Sequence, residues 1–151
     1  TEIDNRFLDI ELLLRLLVFY KKYDLKNYTL TGYTNMRLFL DEFVSENVDL
    51  SIESFSSLFK DVCDLIISEL GNSPFHFKGT RPNYIILDSI MSGILILNNK
   101  VINLKQKFYN ISKANSDYYN NKSGTLSKTR VEERLKFSIK GLSDNNVSLR
   151  C

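Results

Sequence analysis

At 151 residues with 43% hydrophobic side chains, the chain is long enough for one compact domain and too apolar for global disorder. Two Pro and six Gly supply few tight turns, which excludes little but argues for long helices over a β-sandwich. The net charge of +2 conceals unlike halves: residues 1–75 hold 7 Lys/Arg against 13 Asp/Glu, and residues 76–151 hold 13 against 5. Either the halves dock and partly neutralise each other, or the basic half meets nucleic acid or another acidic surface.

The first expected helix spans about Asp9 to Tyr23. Leu12, Leu13, Leu16, Leu17, Phe19 and Tyr20 cover most of its circumference, and Glu11, Arg15 and Lys22 share a narrow polar stripe that Val18 interrupts. A helix apolar nearly all round is expected to be central and buried, with Leu13 and Leu17 turned inward. Glu11 precedes Arg15 by four residues, the favourable order for a helical ion pair.

A polar connection with Gly32 follows, about Asp24 to Thr34. A second helix, about Asn35 to Ser45, places Met36, Phe39, Leu40 and Phe43 on one face. Ser51 is placed to cap a third helix ending near Leu70, and Gly71 stands where a helix ends on a positive φ. Phe55, Leu58, Phe59, Val62, Leu65, Ile66 and Leu70 form its stripe. The loop "GNSPFHFKGTRPN" leads to a fourth element, about Asn83 to Leu97, whose "ILIL" end is compatible with helix or strand.

A fifth helix, about Leu104 to Ala114, turns Leu104, Phe108 and Ile111 to one side. "NSDYYNNKSG" is loop. The last helix, about Ser127 to Leu142, has Thr129 and Glu132 at capping-box spacing and a buried stripe of Val131, Leu135, Ile139 and Leu142. The fold class expected is all-α: a single bundle of five to six helices over residues 1–143, then a frayed tail at 144–151.

Cys63 and Cys151 make no disulfide framework, so a reducing cytoplasm is the expected compartment. The longest apolar stretch, Tyr84 to Leu97, is too short to cross a bilayer and contains Asp88, so no membrane partner is expected. The opening at Thr1, with a helix lead-in and no Met, suggests a piece of a longer protein.

Catalytic equipment is not visible. His76 is the single histidine, which leaves a triad, a zinc site or an HNH centre without partners at the required spacing. No phosphate-cradling GxxxxGK[ST] or GxGxxG run occurs. The carboxylate pairs Asp41/Glu42 and Asp61/Asp64 read as solvated helix faces, and neither a catalytic nor a metal site is expected. The surface with a functional tilt is the last helix. Lys128, Arg130, Arg134 and Lys136, with Lys140, are candidates for phosphate contact, and the nearby Tyr118 and Tyr119 are placed to stack on bases. The competing reading is a solvated face, or one docked on the acidic half.

Three segments in order carry a resemblance. "NRFLDIELLLRLLVFYKKY" resembles the "NR…D.ELvLRfLAfy" entry into the helical part of the GmrSD-type restriction endonuclease N-terminal domain. "MRLFLDEFVSEN" is similar to its "fLn.fm…n" segment, and "SGTLSKTRVEERLKFSIKGL" to its closing "T.s…kV..R….a…L" helix. Between them, "FKDVCDLIISELGNSPFHF" and "YIILDSIMSGIL" fit the family's "f..al..i…lG..aF" and "lfDai" helices. Asp9, Glu11, Leu14 and Arg15 match the first motif, Gly71 and Phe75 the middle one, and Val131 and Arg134 the last.

The resemblance implies a prokaryotic genome-defence protein that recognises or cuts modified or foreign DNA. Its N-terminal ParB-like domain would bind and hydrolyse a nucleoside triphosphate with a divalent metal, often with an HNH nuclease domain beyond. The family's DGQQR-type signature and the HNH histidines do not occur in this chain, so no catalytic residue carries over. What is implied is the helical half of such a domain, with Asp9, Glu11 and Arg15 as a structural motif. Its expected partners are the absent catalytic half, DNA and, through an uncovered apolar face, a second copy.

Overall fold

A computed structural model describes residues 2–76, 82–114 and 126–144. The chain order is α1 (Glu2–Lys22), β1 (Tyr23–Asp24), β2 (Thr29–Leu30), α2 (Met36–Glu46), α3 (Glu53–Leu70), α4 (Tyr84–Ile96), α5 (Leu104–Ala114) and α6 (Lys128–Leu142). The result is a mostly helical bundle of six helices among the described residues, with a two-stranded antiparallel ribbon that pairs Tyr23 with Leu30 and Asp24 with Thr29.

The caps explain where the helices begin. Asn35 accepts from Leu38 N at 3.0 Å to start α2, and Asn83 accepts from Ile85 N at 3.1 Å and Ile86 N at 3.2 Å to start α4. Both satisfy orphan donors of a first turn. Gly71 ends α3 with φ +86°, a conformation that a side chain would resist.

α4 is the centre of the bundle. All residues from Asp88 to Leu95 are buried, so the "ILIL" run is helix packed on every side and not strand. α1, α3 and α6 pack around α4, α5 closes against α3 and α6, and α2 lies on α1. Leu16, Val62, Ile66, Ile90, Ile94, Leu104, Ile111 and Leu142 belong to one apolar cluster, on the α3–α4–α5 side. Val18, Phe19, Leu30, Tyr33, Phe39, Phe43, Val131 and Leu135 make a second, between α1, α2, the ribbon and α6. Leu17 touches both. At the α5–α6 crossing a Cβ on Gly141 would sit 2.5 Å from Ile111 Cγ1, so the close approach requires glycine.

Several expectations need correction. α1 is buried only in its second half, where Leu16, Val18 and Phe19 are 2% exposed or less; Leu13 is 45% exposed, Ile10 63% and Leu8 47%. Leu17 is half-buried. Apolar coverage all round shows that a helix has partners to gain, but not how far its neighbours extend along it, and here they stop short. Ser51 does not cap α3: Ile52 occupies the N-cap with no side-chain bond. Nor do Thr129 and Glu132 form a capping box. Ser127 caps α6 through Arg130 N, and Glu132 instead accepts from Leu30 N at 3.3 Å, tying α6 to the ribbon. The ribbon itself was legible only as a polar connection. Tyr118, Tyr119 and most of the tail, with Cys151, lie outside the described residues.

Leu135→Ala, at a fully buried position, is expected to cost about 2–5 kcal/mol in urea denaturation, while Leu13→Ala costs less than about 1 kcal/mol. Gly141→Ala is expected to lose about 1–3 kcal/mol through overpacking on Ile111. A large loss at Leu13 would show that α1 is covered after all.

Candidate functional site

The charged residues of α1, α4 and α6 meet in the interior. Arg134 approaches Asp88 with two parallel donors, Nε to Oδ1 at 3.2 Å and Nη2 to Oδ2 at 3.0 Å. Asp88 is fully buried and Arg134 is 2% exposed. Arg15 of α1 reaches the same carboxylate, Nη1 to Oδ2 at 3.5 Å. On its outer side Arg15 donates to Glu11 Oε1 through Nε at 3.1 Å and through Nη2. The four residues form a ladder of alternating sign, from the buried Arg134–Asp88 pair through Arg15 to half-exposed Glu11 at the surface.

Local sequence explains each position. Asp88 is the one charge on α4, whose residues around it are buried, so its carboxylate is enclosed and needs a cation there. Arg134 lies between Val131 and Leu135 on the inner face of α6. Arg15 sits one turn after Glu11, at the level where α1 passes from its projecting half into the bundle. A planar guanidinium suits such a site, because its rigid fork matches a carboxylate and it keeps its charge when buried. Chemically the arrangement is a clamp. It fixes three helices in register and presents no nucleophile paired with a base.

Two buried phenols lie on this side of the bundle, Tyr33 beside the ion cluster and Tyr23 beside Glu132 and Asp24. Tyr33 is buried, stacks edge-on to Phe39 at 5.0 Å and donates its hydroxyl to the Leu126 carbonyl. Burial pushes its phenol up, against the opposing pull of Arg134 and Arg15. Tyr23 is pushed up more strongly, first by burial and then by Tyr28, Glu132 and Asp24. Its hydroxyl has no hydrogen-bond partner among the described residues.

The expected site residues separate. Glu11 and Arg15 do join one structural unit. Asp9 lies on the projecting part of α1 and is exposed. Of the basic candidates, Lys128, Arg130 and Lys136 are exposed on α6, and Lys128 Nζ stands 3.9 Å from Glu132. Arg134 is the exception and a correction: it faces the core and is engaged with Asp88, because position 134 falls on the Val131–Leu135–Ile139 side of the helix. Asp88 was missed as its partner. The available signal was a lone charge in the helix of Asp88, with Arg15 inside an apolar run and Arg134 at a position on the Val131–Leu135 side of α6.

Elsewhere, His76 is exposed on its loop. Asp41, Glu42, Asp61 and Asp64 are solvated, with Asp64 paired to Lys60 at 2.7 Å. A cleft of about 260 Å³ lies between Cys63, Ile67, Phe75, Leu87 and Met91, and a wider groove of about 800 Å³ runs between Leu70 and Tyr109. Among the described residues no group of three His, Cys, Asp or Glu is arranged to hold a metal ion, and no helix is long and apolar enough to cross a membrane.

Asp88→Asn is expected to destabilise the fold by about 3–5 kcal/mol, since it leaves buried guanidinium charge uncompensated; Arg15→Met should cost less, because Arg15 is partly solvated. An apolar pair, Asp88→Leu with Arg134→Met, should recover much of the loss in a denaturation double-mutant cycle. A second expectation concerns alkali. Folding holds the Tyr23 and Tyr33 phenols protonated, so their contribution is intact below pH about 10 and is lost as pH rises beyond it. Tyrosinate absorbance should therefore rise in two stages, the later one coinciding with loss of helix by circular dichroism. Comparison with known protein families, characterised proteins and solved structures finds no significant match to this chain.

Proposed function

We propose that this chain is the helical scaffold of a GmrSD-like, nucleotide-dependent restriction nuclease, and that it is non-catalytic by itself. One observation supports this reading above the rest. The charged residues of three separate segments that resemble the family, Arg15 of "ELLLR", Asp88 of "YIILDSI" and Arg134 of "VEER", come together in a single buried cluster. Motifs far apart in the chain that supply interlocking parts of one clamp behave as a set. In this reading Asp9, Glu11 and Arg15 anchor a helix whose projecting half serves a neighbour.

The neighbour proposed is the ParB-like half of the same family, which would supply nucleotide and divalent-metal chemistry. Leu8, Ile10 and Leu13 offer it an apolar footing that the bundle leaves open. The cytoplasm is the compartment this role implies. A second reading, a nucleic-acid-binding module, draws on the exposed lysines of α6.

The purified chain is expected to hydrolyse no nucleoside triphosphate and to nick no DNA, with or without magnesium; robust turnover would contradict the scaffold role. Sedimentation is expected to show self-association at modest concentration through the α1 projection, abolished by Ile10→Asp with Leu13→Asp. A strictly monomeric chain at high concentration would count against an interface there.

A further inference from the structure

We propose that Tyr28, Lys136 and Lys140 form a clamp for the phosphates of a nucleic-acid backbone. The inference stands apart from the family resemblance and from the buried ion cluster. Lys136 and Lys140 lie one turn apart on α6, and each ammonium rests 5.2 Å from the centroid of the same Tyr28 ring. That distance is within cation–π range.

The turn that carries the ring is fixed by its own hydrogen bonds. Asp24 Oδ1 accepts from Lys26 N at 2.9 Å and from Asn27 N at 3.2 Å, while its Oδ2 accepts from Asn27 Nδ2 at 2.7 Å. Tyr28 N closes the turn on the Asp24 carbonyl at 2.7 Å. Tyr28 takes a φ of +58°, which a bulky side chain adopts only where its surroundings impose it. The β1–β2 turn therefore delivers an aromatic plate to the flank of α6, and the plate gathers two cations.

Two ammoniums four residues apart on a helix repel each other. Among the described residues neither is in a salt bridge, in contrast to Lys22 with Glu46 at 3.8 Å and Lys107 with Asp144. An anion with several oxygens seated between them removes the repulsion, and phosphate is that chemistry. The polymeric form is favoured by what lies along the helix. Lys128 is also exposed on α6, twelve residues and about 18 Å along the axis from Lys140 and about a third of a turn around it, so one strand crossing the helix obliquely would meet these lysines with several successive phosphates. Glu132 lies within this track, but its side chain is only 17% exposed and turns to Leu30 N and Lys128. Glu133 is exposed and sets a limit on affinity. Because Lys ammoniums already occupy the ring, the contact expected is to backbone, without base sequence preference.

The test is fluorescence anisotropy of the full 151-residue chain with labelled single-stranded and duplex oligonucleotides across a salt series. Wild-type protein is expected to bind at low salt. Lys136→Ala with Lys140→Ala should weaken binding at least tenfold and lower the salt slope by about two, one unit per lost phosphate contact. Tyr28→Phe should bind within twofold of wild type, Tyr28→Ala severalfold less tightly, and the double arginine variant should retain binding. Circular dichroism confirms that each variant is folded; should the alanine pair unfold, Lys136→Gln with Lys140→Gln takes its place. A lysine-pair variant that binds within twofold of wild type, or with an unchanged slope, overturns the proposal. So does wild-type protein that binds anionic lipid vesicles and neither oligonucleotide, or nothing at all.

Discussion

One carboxylate organises this protein. Asp88 is fully enclosed by α4 and its neighbours, and a charge in that position is tolerated only with a cation against it. Arg134 meets it with two donors and Arg15 with a third contact, so the helices that carry them cannot rotate or slide without leaving buried charge unpaired. Apolar packing around α4 is non-directional and would accept several registers. The ion cluster selects one. Its outer member, Glu11, extends the same alternation to solvent, which explains an arginine in the middle of a leucine-rich helix.

That helix serves two environments. Beyond Arg15, α1 is built into the bundle, with Phe19 and Val18 fully buried and Leu16 nearly so. Before it, Leu8, Ile10 and Leu13 stand in solvent. The ladder sits at this boundary and ties α1 to α4 and α6 through charged contacts.

The charge halves of the chain are sorted rather than cancelled. Arg15–Asp88 joins the acidic and basic halves, but other pairs stay within one half: Lys22–Glu46, Arg37–Asp41, Lys60–Asp64, Lys107–Asp144 and Lys128–Glu132. Neutralisation by docking is thus a minor effect among the described residues. Apart from Arg134, the cations of α6 lie on its outer side, and the β1–β2 turn places an aromatic ring against Lys136 and Lys140.

Period and punctuation were enough to place the helices. Met36, Phe39, Leu40 and Phe43 are the buried face of α2, and Val131, Leu135, Ile139 and Leu142 that of α6, because a spacing of three and four puts such residues on one side whatever they pack against. Gly71 marked the end of α3 for an equally local reason. Pairing was not local. Nothing in the spacing of Arg15, Asp88 and Arg134 says that residues 73 and 46 positions apart share a carboxylate, and a basic residue on α6 reads alike whether it faces water or core until neighbours are known. The same holds for α1, whose composition demanded burial but whose length beyond its partners only the assembled bundle decided. Local side-chain period is written in the chain itself; which charges meet, and which apolar turns are left outside, depends on contacts between distant segments and so emerges only in three dimensions.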